Sequence, residues 1–176
     1  MPRDLSLEEA ASLLDYNPDT GLFTRIKKIK YAKHETGSVA GCKSGNGYII
    51  INLLGVNYQA HRLAFLYMIG RMPKQCVDHI NGNGEDNRWC NLREATRREN
   101  NLNRIVPSTS GEKGVSKCIQ TGLWKVSVFS GGRYHWGGRH IDLEQARQKA
   151  CSLRNILHGS FANHNTTSKK EQVYHS

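Results

Sequence analysis

Apolar residues first recur at helical spacing near the start of the chain. Leu7, Ala10, Ala11 and Leu14 predict a short amphipathic helix over residues 5–15, with Ser6 and Glu9 forming a capping box. The turn-forming run Asn17-Pro18-Asp19-Thr20-Gly21 leads into the strand-like LFTRIKK. After a second turn at Gly45-Asn46-Gly47, the segments YIIINLL and NYQA, joined through Gly55-Val56, predict a β-hairpin. HRLAFLYMIG (61–70) places Leu63, Ala64, Phe65, Tyr67 and Met68 on the face of a helix that Arg71-Met72-Pro73 ends. CVDHIN (76–81) is strand-like, 81–91 is a Gly/Asn-rich loop, and LREAT (92–96) is a second short strand. Thr96 and Glu99 form a capping box that opens the helix RRENNLNR.

The period changes after residue 105. Residues 106–111 read as a linker. GVSKCIQ, LWKVSVFS and RYHWGGRH then predict three short strands separated by Thr121-Gly122 and Gly131-Gly132 turns. Residues 143–159 are an amphipathic helix with Asp142 as its N-cap and Gly159 at its end. The organisation expected is an α+β first domain over 1–105, a linker over 106–111, a three-stranded sheet with one helix over 112–164, and a polar, disordered tail over 165–176.

Charge narrows the partners. The chain of 176 residues carries a formal net charge of +10, which favours a polyanion. No apolar run approaches the roughly 20 residues of a spanning helix, so nucleic acid is preferred to a membrane. The N-terminal sequence is acidic and helical, unlike a secretory signal. The five cysteines, Cys42, Cys76, Cys90, Cys118 and Cys151, form no C-x-x-C pair, so reduced thiols in a cytoplasmic compartment are expected and a structural zinc site is not. Asn165-Thr166-Thr167 matches a glycosylation acceptor by chance. The basic stretch 27–34 reads equally as a solvated loop or a phosphate-contacting one.

The candidate chemistry lies in VDHINGNGEDNRWCNLREATRRENNLNR (77–104). Such residues do not build a buried core. His79 has the ordinary pKa of a general base at neutral pH. Asp78 is a hard oxygen ligand suited to Mg²⁺ or Mn²⁺, and Asn100 on the helix offers a second oxygen. Asn91 can hold the His79 ring or its loop. The bland alternative is a solvated Asn/Gly turn region. A calcium loop is excluded, because counting from Asn81 its sixth and twelfth positions hold Asp86 and Leu92 instead of Gly and Glu.

In this stretch Asp78-His79-Ile80-Asn81-Gly82, Asp86-Asn87, Asn91-Leu92 and Glu99-Asn100 resemble the HNH nuclease motif of the ββα-metal type, in the form of phage and intron-borne homing endonucleases whose final His is replaced by Asn. The resemblance extends upstream over LLDYNPDTGLFTR and AHRLAFLYMIGRMP, so it covers about residues 6–104. It implies that Asp78 and Asn100 bind one divalent ion, Mg²⁺ or Mn²⁺, that His79 activates water, and that Asn91 orients the loop. Arg62, Arg93, Arg97, Arg98 and Arg104 are candidates to track a DNA backbone, each weighed against a solvated charge. His61 reads as a histidine satisfied at the domain surface, or as a phosphate contact.

Lys113-Gly114-Val115, Trp124, Trp136-Gly137, Ala146, Ala150 and Phe161-Ala162-Asn163 resemble the Apetala-type (ethylene-response-factor) DNA-binding domain over residues 113–163. Such domains lay a sheet face into the major groove. Alternation puts Trp124, Val126 and Val128 against the helix and Lys125, Ser127 and Phe129 toward DNA. Arg133 and His135 share a face of the third strand and join the candidate contacts, with Lys113, Lys117 and Lys125 on phosphates. Ser116 and Cys118 stand where plant members place arginines, so the plant target is not expected. Core packing is the preferred reading of Trp124 and Trp136.

The function expected is a metal-dependent endonuclease of homing type acting on double-stranded DNA, encoded by a phage-like element in a bacterial host and more readily a monomer. Its alternatives are a non-catalytic DNA-binding regulator with a degenerate nuclease fold and an RNA-binding protein. The second of these is disfavoured because no exposed aromatic platform is expected.

Overall fold

The computed structural model describes residues 5–27, 34–103, 108 and 110–164. Arg104, most of the basic stretch 27–34, most of the linker and the tail lie outside these residues. The chain divides into two compact units, Met1–Arg97 and Arg98–Ser176.

In the first unit, helix α1 (Leu7–Ala11) is capped by Ser6, whose hydroxyl accepts from the Glu9 amide. It stops well short of residue 15, because Leu14 belongs to a strand. β1 (Leu14–Asn17) buries Leu14 and Tyr16 in alternation and pairs antiparallel with β2 (Leu22–Arg25), Tyr16 opposite Phe23. Leu14 satisfies both the helical and the strand period, and the inward position of Tyr16 two residues on selects the strand. A three-stranded sheet follows, from β3 (Cys42–Lys43), β4 (Ile49–Leu53) and β5 (Val56–Gln59) in that order. β3 was not expected from the sequence.

Helix α2 (Ala60–Ile69) buries Ala60, Leu63, Ala64, Phe65 and Leu66 in a core shared with Leu14, Tyr16, Phe23 and Ile51. Tyr16, Phe23 and Tyr67 form an aromatic cluster with ring centroids 4.6–6.0 Å apart. Against this core lies the hairpin of β6 (Cys76–His79) and β7 (Leu92–Ala95), joined by a long loop with a 3₁₀ turn at Trp89–Asn91.

The second unit begins with α3 (Arg97–Asn103), whose first residue lies at the boundary. Its sheet runs β10–β9–β8, with β8 at Val115–Lys117, β9 at Trp124–Ser130 and β10 at Arg133–His140. Helix α4 (Leu143–His158) covers one sheet face, setting Ala146 and Ala150 on Val115 and Val126. These small residues make a thin core, and a Cβ at Gly137 would collide with Val126. β10 bulges between Trp136 and Gly138 and runs to His140, the full length of the expected strand RYHWGGRH. Among the described residues no helix is long and apolar enough to cross a membrane. All five cysteines carry free thiols.

Candidate active site

The β6–β7 register sets Asp78 opposite Arg93 and His79 opposite Leu92. Asp78 is 2% exposed, and its Oδ2 accepts from Arg93 Nε at 2.7 Å and Nη2 at 2.6 Å. A carboxylate so buried needs a cation beside it. Arg93, expected on a DNA backbone, is the partner of Asp78 instead.

His79 is buried at the end of β6. Its Nε2 lies 3.3 Å from Asn87 Oδ1, while Asn87 Nδ2 donates to the Glu85 carbonyl at 3.1 Å. The amide is therefore oriented with its oxygen toward the ring, so Nε2 carries the proton and the lone pair of the neutral ring sits on Nδ1. Burial pushes the His79 pKa below its ordinary value, opposed by the Asn87 bond and the charges of Asp78 and Asp86. The ring is thus neutral at physiological pH, the state a base requires.

Asn91 binds the loop and not the ring. Its Nδ2 donates to the Asp86 carbonyl at 2.8 Å and to Asn81 Oδ1 at 3.1 Å, and its Oδ1 accepts from the Asn81 amide at 3.0 Å. Asn91 therefore fixes the loop backbone that leads into Asn87. Asp86 accepts from Arg88 and Asn81, which holds its carboxyl down at about 2.

The loop is also fixed from outside. Tyr16 donates its hydroxyl to the Asn87 carbonyl at 2.8 Å, and the Trp89 amide donates to the Pro18 carbonyl at 2.9 Å. Gly21, at φ +73°, leaves room where a Cβ would strike the Asn87–Arg88 peptide. The β1–β2 turn is thus a support for the motif.

Two more rings surround His79. His61 packs edge-on at a centroid distance of 5.0 Å, and Tyr48 lies 5.8 Å away. His61 is buried, not at the domain surface as expected. Its Nε2 meets Gln59 Oε1 at 3.1 Å and its Nδ1 has no partner. Burial first, then His79 and Arg62, pull its pKa down to about 3. Arg62 is likewise committed to structure, donating to the Pro73 and Gln75 carbonyls. Arg97 and Arg98 are exposed at the start of α3. Asn100 is half-buried in the same helix, which clusters with the second unit.

Among the described residues no group of three His, Cys, Asp or Glu side chains could hold a metal. Mg²⁺, however, commonly takes one or two protein carboxylates and completes its shell with water and substrate phosphate. Asp78 supplies one such carboxylate.

Among the described residues the sheet face away from α4 is open, and it carries an exposed group of aromatic rings that was not expected from the sequence, so the ground for disfavouring RNA falls. Phe129, Tyr134 and Trp136 lie on it, Trp136 being 60% exposed, with Lys125, Ser127 and Arg139 between them. The core reading of Trp136 is overturned, whereas Trp124 does pack on the core cluster, with Lys117 Nζ 5.3 Å from its ring centroid. Arg133 and His135 pair with Ser130 and Val128, on the α4 side, and His135 Nε2 meets the Ser130 carbonyl. Tyr134, Trp136 and Arg139 take the open-face positions expected for Arg133 and His135. Lys113 is half-buried, its Nζ on the Leu102 carbonyl, and is not presented to a phosphate.

Residues 58–102 match the family model described as HNH endonuclease. The chain is 36% identical over 96 residues to Protein 3.8 of Escherichia phage T7, an alignment spanning 53% of this chain and 78% of that protein. It is 35% identical over 119 residues to an HNH endonuclease of Acanthamoeba polyphaga mimivirus described as uncharacterized, spanning 66% of this chain and 62% of that protein. No solved structure matches. The HNH match covers a segment that runs from within β5 to the last turn of α3.

Proposed function

We propose that the protein is a metal-dependent endonuclease that hydrolyses phosphodiester bonds in double-stranded DNA, of homing type. The single observation that carries the reading is the His79–Asn87 pair beside buried Asp78. Asn87 fixes the tautomer, so His79 presents Nδ1 as the atom that takes a proton from water. Asn91 and Tyr16 keep Asn87 in place. Asp78 and Asn100 are the residues that would hold one Mg²⁺ or Mn²⁺. Such an ion, when bound, neutralises charge on the phosphate and assists the departing 3′ oxygen. Arg93 holds the Asp78 carboxylate in place through Nε and Nη2.

The second unit serves as an Apetala-type duplex reader. Its open sheet face sets Lys125 and Arg139 beside three aromatic rings, cations that can meet phosphates while the sheet lies in a major groove. One active site per chain makes a nick the product of a monomer.

The test is supercoiled plasmid incubated with wild type and His79→Ala in Mg²⁺, Mn²⁺ or EDTA. Metal-dependent nicked or linear product from wild type alone is the expected result. Equal DNA binding by both proteins with no cleavage in any condition would favour the non-catalytic regulator.

A further inference from the structure

We infer that the second unit is a working part of the nuclease motif, because Asn163 and Lys113 hold the end of α3, the helix that carries Asn100; they are positioning residues. This rests on the metal-site reading above.

The sequence of α3, RRENNLN, cannot sustain a helix by itself. Isolated helices shorter than about 12–15 residues are marginal in water, and α3 has seven residues with Leu102 its lone apolar side chain. It has no apolar stripe to bury. Its last carbonyls also need partners from outside the helix. Two of them find these elsewhere in the second unit, to which α3 from Arg98 onward belongs. Asn163 Nδ2 donates to the Asn103 carbonyl at 2.6 Å, and both residues are buried. Lys113 Nζ donates to the Leu102 carbonyl at 3.0 Å, placing a cation where the helix dipole is negative.

These two anchors are themselves fixed. The Lys113 carbonyl accepts from Arg154 Nη1, and Arg154 is a fully buried residue of α4 whose Nε donates to His164 Nδ1 at 3.2 Å. A continuous line of hydrogen bonds thus runs from the middle of α4 to the last turn of α3. Burial of the Lys113 amine, which brings its pKa down to about 8, agrees with an interior contact. A tethered DNA-binding appendage would affect only affinity. An anchored α3 makes the geometry of Asn100 depend on residues 113 and 163.

The experiment uses the full chain carrying Asn163→Ala, Lys113→Met or Lys113→Arg. Amide exchange is followed across 98–103, Mn²⁺ binding by the paramagnetic signal of the free ion, half-saturating Mn²⁺ for nicking, and duplex affinity in EDTA. Asn163→Ala and Lys113→Met should speed exchange in α3 and raise the Mn²⁺ requirement by about tenfold, the loss typical when a ligand's support is removed. Duplex affinity in EDTA should stay unchanged, and Lys113→Arg should restore the metal requirement. Should Asn163→Ala not fold, Lys113→Met, which alters a half-buried contact, decides alone. Unchanged exchange and unchanged Mn²⁺ dependence in a nicking protein would overturn the inference and leave the nuclease reading intact. A wild type that neither nicks nor binds Mn²⁺ would remove both.

Discussion

The loop around His79 and the sheet face around Trp136 are both polar and aromatic, yet they are built in opposite ways. In the loop Asn81, Asp86, Asn87 and Asn91, and on β7 Arg93, all hold other protein groups. On the sheet, Phe129, Tyr134 and Trp136 stand exposed over a thin core of alanine and valine. A reacting group must be held within a fraction of an ångström, so its surroundings are spent on orientation. A binding face must present side chains to a partner, so its surroundings are spent on display. The contrast makes a sharp division of labour testable.

The largest effect belongs to His79. Replacing it with Ala should lower metal-dependent nicking by on the order of 10²–10⁴ and leave duplex affinity within twofold, as expected for loss of a general base. A single-turnover assay on a nicked-plasmid readout measures the first, and a gel shift in EDTA the second. A parallel loss of binding would mean that the loop also displays, and the contrast would break.

Asn87→Ala comes next. It frees the ring to rotate and removes the bond that fixes its tautomer, so nicking should fall roughly 10–100-fold through a support residue. The discriminating observation is the rate at saturating DNA, because a display role would change affinity instead. Tyr16→Phe, which deletes the hydroxyl bonded to the Asn87 carbonyl, should shift the same rate in the same direction and less.

How much of this was legible depends on which physical rule sets each feature. Asp78-His79, Asn91-Leu92 and Glu99-Asn100 in order carry the resemblance to the motif, because a family pattern is kept in residue order, and residues 58–102 match the HNH endonuclease model. The Asp78–Arg93 pair was hidden because a loop of twelve residues separates His79 from Leu92 and leaves the strand register open. A long loop has no fixed turn to count from. The β9–β10 hairpin is the opposite case. Its Gly131-Gly132 turn has two residues, so counting outward places Tyr134 opposite Phe129 and His135 opposite Val128. The open face was therefore readable in the sequence, and the assignment of Arg133 and His135 to it missed the turn rule. Burial of His61 was not readable, since its neighbours Tyr48 and His79 arrive from distant segments.

His61 supplies a test of how tightly the first unit is closed. Its pKa is about 3 in the fold, against 6.5 in an unfolded chain. Between those values the unfolded chain takes up a proton that the folded one refuses, so stability falls as pH drops below 6.5. From pH 6.5 to 5 this amounts to about 2 kcal/mol, at 1.36 kcal/mol per pH unit. The shift of His79 adds a loss of the same sign. His61→Phe should flatten the thermal midpoint over that range, leaving only the slope from the other histidines. An equally steep decline in His61→Phe would show that the imidazole is hydrated in solution.

The smallest effect lies on the display side, where it is also the most specific. Lys125 and Arg139 face each other across β9 and β10 on the open sheet. If the face lies on duplex DNA, each cation removed releases about one counterion fewer. Lys125→Met and Arg139→Met should each reduce the slope of log affinity against log salt by about 1. Neither should change the nicking rate once DNA is saturating. That independence separates display from chemistry, because a cation serving the reacting phosphate would lower the rate at saturation. A salt slope identical to wild type in both variants would take the sheet face out of the DNA interface and leave Arg97 and Arg98, exposed at the start of α3, as the basic groups to test next.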